Sequence, residues 1–503
     1  MPRASFPILL VSLLGGALAV AGFAPFAFWP LPAASLAVLF GLLARTPSMR
    51  TGFLIGLAWG LGFFIAGVSW VFVSLSVYGG MAAWLATLAT FLFCAFLALF
   101  PAAVGALQAY PEGRWRIPPA LRLLVLIPLL WSVSEWVRGW IFTGFPWLVM
   151  GYSQVPASPL AGFAPLFGVY GVSFLLALAA AGLAWMLTSP RRTRPKLWVA
   201  ACLVALTAGG QGLRGIMWTT PDGAPTTVAL LQGNIPQDMK WQPEKTRATL
   251  EGYARMAAAS PAQLIVLPET ALPLFEADLP ASYRAALTSI GRKNGGDVLA
   301  GLPTGSPQGA YYNSAISLGS APSQHYHKVH LVPFGETIPL KAVWGWIIQV
   351  LHIPLSDFAR GAIDQRPLAI GGQRVAVNIC YEDAFGEEII RQLPEASVLV
   401  NMSNLAWFGD SFAPWQHAQM SQMRALESGR MMLRATNTGV TAIIDAKGRV
   451  LASLPLFTAG RLSGEIQAYA GSTPYVRWGN APVLALWGTL GIALLAARLR
   501  RRP

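Results

Sequence analysis

The sequence predicts two architectures in one chain: a multi-span α-helical membrane domain of about eight transmembrane helices and, inserted before the last of them, an α/β domain. Three observations carry this reading. Of 503 residues, 54% are hydrophobic and only 12% charged, about half the charged share of a soluble globular protein; mean hydropathy is +0.50. Apolar stretches of about 17–25 residues, long enough to cross a bilayer, recur before residue 214 and once more near the end. From about residue 225, β-branched runs alternate with amphipathic helical patterns, which is the α/β signature.

The apolar spans lie at 7–24, 28–44, 52–74, 82–108, 122–142 and 160–188, with a weaker one at 197–213 and a last one at 481–497. Ala17-Leu18-Ala19 resembles a signal-peptide cleavage site, and cleavage there would leave the remaining topology unchanged. Basic residues occupy alternate loops: Arg45 and Arg50; Arg114, Arg116 and Arg122; Arg191, Arg192, Arg194 and Lys196; Arg498, Arg500, Arg501 and Arg502. Loops 75–81 and 143–159 contain neither lysine nor arginine. The positive-inside rule then places both termini in the cytoplasm and 214–480 outside. The predicted domains are 1–213 (seven helices), 214–480 (an extracytoplasmic catalytic domain) and 481–503 (the last helix and a basic tail). The net charge of +14 thus reports topology, and without aromatic–basic interleaving it excludes nucleic-acid binding. Glu135 and Arg138 share one helical face in the fifth span, either as functional intramembrane charges or as a mutually satisfied pair. The aromatic–proline stretches Phe23-Ala24-Pro25-Phe26 and Gly144-Phe145-Pro146-Trp147 read either as an interfacial belt or as the floor of a lipid-access site.

In the hydrophilic region, strands are predicted at 227–232, 264–267, 297–302, 312–318, 375–379, 397–401 and 432–436. Helices are predicted at 244–259 and 281–294. Val440 to Asp445 and Val450 to Ser453 form a hairpin around Lys447-Gly448. Of three cysteines, Cys94 and Cys202 sit in apolar spans as inert core residues. Cys380, alone in the hydrophilic part, rules out a disulfide framework there.

Val375 to Asp383 reads as a buried strand that delivers Cys380 at its C-terminal end, where ligand chemistry collects in open α/β sheets. Leu264-Ile265-Val266-Leu267-Pro268-Glu269 likewise carries an apolar run into a carboxylate, and His327-Lys328-Val329-His330-Leu331-Val332-Pro333-Phe334-Gly335-Glu336 supplies a lysine and a second glutamate. A cysteine attacks a carbonyl as thiolate and needs a base or a cation beside it. Glu269 can take and return that proton, and Lys328 can face a tetrahedral oxyanion. Nucleophile Cys380, acid/base Glu269 and cation Lys328 form a complete acyl-transfer set. No zinc site is expected: His325, His327 and His330 lack ligand spacing. Walker, dinucleotide and G-x-S-x-G motifs are absent.

The order Glu269, Lys328, Cys380, within LPE, K-x-H-L-V-P-F-G-E and CYE, resembles the nitrilase (carbon–nitrogen hydrolase) superfamily. HLVPFGE with NICYED resembles, more narrowly, its membrane-bound branch, the apolipoprotein N-acyltransferases. The resemblance implies an α-β-β-α sandwich, no cofactor, and a site in which Glu336, Tyr381 and Glu382 support the triad. It also implies a bacterial inner-membrane location with the catalytic domain on the periplasmic side. The implied reaction moves an acyl chain from a membrane phospholipid, through a Cys380 thioester, to the α-amine of a diacylglyceryl-cysteine on an apolipoprotein. Trp241 matches the family's QGN-x-P…KW segment. Trp241, Trp344, Trp346 and Trp407 are the expected substrate-binding residues, with Trp344 and Trp346 on an apolar arm at 339–358. A monomer is expected. A membrane-anchored amidase is the first rival and would need a small polar pocket. A transporter or receptor is the second and would need inverted repeats.

Overall fold

The computed structural model describes residues 5–46, 48–114, 117–189, 193–337, 357–393 and 395–499. The chain divides into a helical unit (Met1–Phe72, Trp84–Ile216 and Trp478–Pro503) and an α/β unit (Val73–Ala83 and Met217–Arg477).

The helical unit opens with α1 (Phe6–Ala19), α2 (Pro30–Ala44), α3 (Met49–Val68), α4 (Ala83–Arg114), α5 (Pro119–Arg138), α6 (Ala164–Thr188) and α7 (Thr193–Leu213). A last helix spans Ala481–Leu499. Among the described residues five helices carry apolar stretches long enough to cross a membrane; Phe6–Gly22, Pro30–Ala44 and Ala481–Ala496 are shorter. The chain is thus a multi-pass membrane protein, with five candidate spans and three shorter apolar helices among the described residues at the eight places the sequence predicts. Close helix contact depends on small residues, as in membrane bundles. A Cβ on Gly16 of α1 would collide with the Trp59 carbonyl oxygen of α3.

Glu135 and Arg138 are a structural brace. Glu135 accepts from the Met150 amide (2.9 Å) and from the Ser173 hydroxyl, while Arg138 donates to the Phe145 and Trp147 carbonyls, each at 2.6 Å. Together they supply partners to the backbone of turns and short 3₁₀ helices after α5, which low-dielectric surroundings require. Gly144-Phe145-Pro146-Trp147 packs inward on these bonds, with Trp147 buried and its ring 4.9 Å from that of Trp70; the predicted interfacial belt is here a packed cluster. Cys94 is buried, but Cys202 is exposed on α7, contrary to the core position expected of it. Little of α7's apolar surface is covered within the protein.

The α/β unit contains β1 (Thr219–Gln232), β2 (Leu264–Val266), β3 (Asp297–Gly305), β4 (Tyr311–Gly319), β5 (His325–His327), β6 (Leu368–Ile370), β7 (Gln373–Ile379), β8 (Val398–Ser403), β9 (Met432–Thr436), β10 (Ala442–Ile444), β11 (Val450–Ser453) and β12 (Gly460–Gly471). They build two six-stranded sheets, ordered β12-β1-β2-β3-β4-β5 and β11-β10-β9-β8-β7-β6. The parallel triples β1-β2-β3 and β7-β8-β9 form the centres. Side-chain alternation along each strand decides the layers. Val228 and Leu230 join Val375, Val377 and Ile379 in the core between the sheets. Ala229 and Leu231 turn outward to α8 (Pro243–Ala258) and α9 (Ala281–Lys293). On the other outer face Ala376 and Leu399 meet Ala418 and Ala425 of α10 (Ala413–Ser428). Both faces of both sheets are covered, so the central strands read as continuous apolar runs. The result is the α-β-β-α sandwich.

Candidate active site

The predicted triad residues all follow strand ends. Glu269 lies just beyond β2, Lys328 directly follows β5, and Cys380 directly follows β7. The turn carrying Glu269 presses against β3 at Gly301, where a Cβ would lie 2.5 Å from the Pro268 carbonyl oxygen and 2.7 Å from the Thr270 nitrogen. Only glycine leaves room for the carboxylate's backbone there.

Glu269 and Lys328 are brought together. The Lys328 ammonium, fully buried, donates to Glu269 Oε1 at 3.3 Å and to Glu336 at 2.9 Å (Oε1) and 2.8 Å (Oε2). Asn313 Nδ2 bridges the same two carboxylates, 2.8 Å from Glu269 Oε1 and 2.7 Å from Glu336 Oε1. The other oxygen of Glu269 accepts from the Asn404 amide at 2.7 Å. Burial alone would lower the Lys328 ammonium, but Glu336 and Glu269 outweigh it and hold it well above the usual lysine range. The two carboxylates thus favour the charged form of Lys328.

Cys380 adopts a left-handed backbone, φ 53°, costing on the order of 1–3 kcal/mol in a non-glycine residue. Its surroundings hold it there. The Cys380 carbonyl accepts from His417 Nε2 (3.0 Å) and Asn401 Nδ2 (3.2 Å). Arg434 can only donate, and its Nη2 lies 2.9 Å from His417 Nδ1, so that nitrogen accepts and Nε2 carries the proton. Burial, then Arg434, keeps His417 neutral, its pKa well below the usual histidine value. Arg434 Nη1 also meets Asp383 (3.2 Å), Asn401 (2.9 Å) and Ser421 (2.8 Å). Burial pushes Asp383 up to about 6, against Arg434 and Ser421. Asn378, Asn401 and Arg434 stand in register across β7, β8 and β9. They form a polar row leading from the nucleophile's turn into the sheet.

Cys380 is half-buried. Burial, followed by Glu269, raises its thiol well above the ordinary cysteine range; Lys328 and Arg434 oppose this, and Glu336 adds to the rise. The resting group is a thiol, so attack requires a base at the moment of reaction.

Glu382 ties the cysteine's turn to the lysine's. Its carboxylate accepts from the amides of Ile379 (2.6 Å), Val329 (2.6 Å) and His330 (3.0 Å), and from the Tyr326 hydroxyl (3.0 Å). Burial pushes it up to about 7 despite these donors and Lys328. Glu382→Gln must turn an amide NH₂ toward at least one of these donors. It should destabilise the protein by about 1–3 kcal/mol, read as a lower melting temperature in detergent.

Tyr381 is buried with its ring near His330 and Phe385. Trp241 is half-buried beside Lys240 in sequence. Trp407 is half-buried in the Ala406–Phe408 turn, where its carbonyl accepts from Ser74 (2.8 Å) and its ring lies 6.2 Å from Tyr78. Trp344, Trp346 and most of the predicted arm lie outside the described residues. His325, His327 and His330 bond to Glu276, Ser314 and Glu388 respectively. Sequence reasoning misses Asn313, Asn401, His417 and Arg434; it names Lys240 only as the lysine of the KW segment and Asn404 only within the aromatic loop Asn404 to Asp410 at the mouth of the site. Of the four missed residues, Arg434 alone carries a signal, an arginine centred in a five-residue buried strand.

Sandwich and strand-end cysteine are those of a carbon–nitrogen hydrolase. Residues 227–475 match the family described as Carbon-nitrogen hydrolase, and residues 15–182 match Apolipoprotein N-acyltransferase N-terminal domain. The Apolipoprotein N-acyltransferase of Nitrosomonas europaea is 53% identical over 98% of this chain and 97% of its own. Those of Chromobacterium violaceum and Ralstonia nicotianae are 46% and 45% identical, over 98% and 100% of this chain and 95% of each relative. The chain belongs to the apolipoprotein N-acyltransferase family.

Proposed function

We propose that this membrane enzyme transfers an acyl chain from a phospholipid to the N-terminal amine of a diacylglyceryl-cysteine apolipoprotein, through a thioester on Cys380. The observation that carries the mechanism is the buried Glu269–Lys328–Glu336 knot in the electrostatic field of a cysteine held in a left-handed turn. Glu269 takes the Cys380 proton as sulfur attacks the ester carbonyl. Lys328 faces the developing oxyanion. The ester C–O bond breaks, Glu269 returns the proton to the departing oxygen, and lysophospholipid leaves. In the second half, the acceptor amine attacks the thioester, Glu269 relays a proton from nitrogen to sulfur, and the C–S bond breaks to give the amide. Glu336, Tyr381 and Glu382 support the centre, while Trp241, Trp344, Trp346 and Trp407 contact lipid.

The proposed arrangement is 1–213 as seven helices, 214–480 as a periplasmic catalytic domain and 481–503 as the eighth helix with a cytoplasmic tail. It makes a monomeric inner-membrane protein, with the three shorter helices completing eight spans. The alternating basic loops support this orientation.

Intact-protein mass spectrometry after incubation with phosphatidylethanolamine tests the reaction. The expected result is a hydroxylamine-labile mass increase of one acyl chain, discharged by a diacylglyceryl peptide with a free amine. Release of free fatty acid, with no adduct and no transfer to the peptide, would replace this reading with a hydrolase.

A further inference from the structure

We propose that Lys240 is a positioning residue for Glu269: its ammonium clamps the Glu269–Thr270 peptide and so sets the direction of the proton-transferring carboxylate. The inference rests on the acyl-transfer reading above and adds a residue to it. Lys240 lies in the turn between β1 and α8, is almost wholly buried, and donates to the Glu269 carbonyl oxygen at 3.2 Å and to the Thr270 hydroxyl. Thr270 is β-branched yet has φ 44°, a conformation that is a genuine outlier for such a side chain. It persists only if its surroundings enforce it, and the ammonium holds both the carbonyl before this residue and its hydroxyl.

Among the described residues Lys240 forms no ion pair; its two hydrogen bonds go to neutral oxygens. A buried ammonium without a carboxylate partner is costly, and packing alone would be served better by methionine. The groups whose charge reaches it are Glu269 and Cys380; Lys328 and Glu336 are tied to Glu269 through Oε1. Charged donors make hydrogen bonds about twice as strong as neutral ones, so the clamp is firm only while Lys240 is protonated. Burial brings it down to about 8 against the opposing pull of Glu269 and Cys380. The clamp therefore loosens as pH rises through about 8, whereas an arginine at this position would keep its charge.

The test uses the full-length protein in detergent and its Lys240→Met and Lys240→Arg variants. Two rates are followed from pH 6.5 to 9.5: thioester formation with phosphatidylethanolamine, and Cys380 alkylation by iodoacetamide read on the Cys380 peptide. A base displaced by about 1 Å costs about 100-fold in rate. Lys240→Met should lose about that much in thioester formation at pH 7, and Lys240→Arg should recover to within about 10-fold of wild type. The wild-type to Lys240→Arg ratio should fall above about pH 8. A merely space-filling lysine gives no such pH-dependent ratio. Wild-type rates in Lys240→Met, or a ratio flat with pH, would overturn the proposal. Should Lys240→Met fail to elute as a single species, the Lys240→Arg ratio decides. If wild type forms no thioester, the acyl-transfer reading fails by itself, and the clamp is judged on the alkylation ratio.

Discussion

Replacing Cys380 with alanine should abolish the hydroxylamine-labile acyl adduct and lower transfer to a diacylglyceryl peptide by about 10⁴-fold or more, since residues of a nucleophilic unit act together. The same change should hardly affect folding. The Cys380 sulfur makes no hydrogen bond among the described residues, and its left-handed backbone is held through its carbonyl by His417 and Asn401. Both bonds survive truncation at Cβ, and alanine tolerates the same φ no worse. The stability cost is the loss of one small, partly covered group, about 1 kcal/mol or less. Thermal unfolding in detergent and intact mass of the incubated protein read the two effects separately. An adduct persisting in Cys380→Ala would place the acyl chain on another residue and remove the proposed nucleophile.

The parts of this site legible in the sequence are those carried by a run and its end. An apolar stretch stopping at Cys380 or Glu269 announces a buried strand with a polar tip, Lys328 stands at the edge of the apolar segment that follows it, and the structure places each of them just past a strand. The sandwich is legible in the same way, because strands covered on both faces are apolar throughout. What escapes is held by pairing across strands. Asn313 sits inside β4, and Asn378, Asn401 and Arg434 become one row only through the registers of β7, β8 and β9. A lone asparagine in a strand carries no mark of the neighbour that satisfies it. Lys240 is hidden for a related reason, because a lysine in a turn looks solvated until its partners, about thirty residues away, are known. Glu135 and Arg138 show the converse. Their spacing on one helix face is visible, but the backbone groups they satisfy belong to a later segment.

Lys328→Met should cost both stability and rate, and the two losses should respond differently to a second change. In the native site one ammonium serves two buried carboxylates at 3.3 and 2.8 Å. Removing it leaves Glu269 and Glu336 facing each other without a counter-charge, a defect worth about 3–5 kcal/mol in comparable buried pairs. The oxyanion would also lose its cation, an effect of about 10²–10³-fold on thioester formation. Adding Glu336→Gln removes one stranded charge. The side-chain amide it introduces can still accept from either Asn313 or the Val332 backbone N–H, though not from both as the carboxylate does. Roughly half of the lost stability should therefore return in Lys328→Met/Glu336→Gln, measured as melting temperature at one detergent concentration. The acylation rate should stay at the level of the single variant, because neither substitution restores positive charge where the tetrahedral oxygen forms. Recovery of rate together with stability would mean that Lys328 serves only to neutralise its carboxylates, and the oxyanion would need another donor.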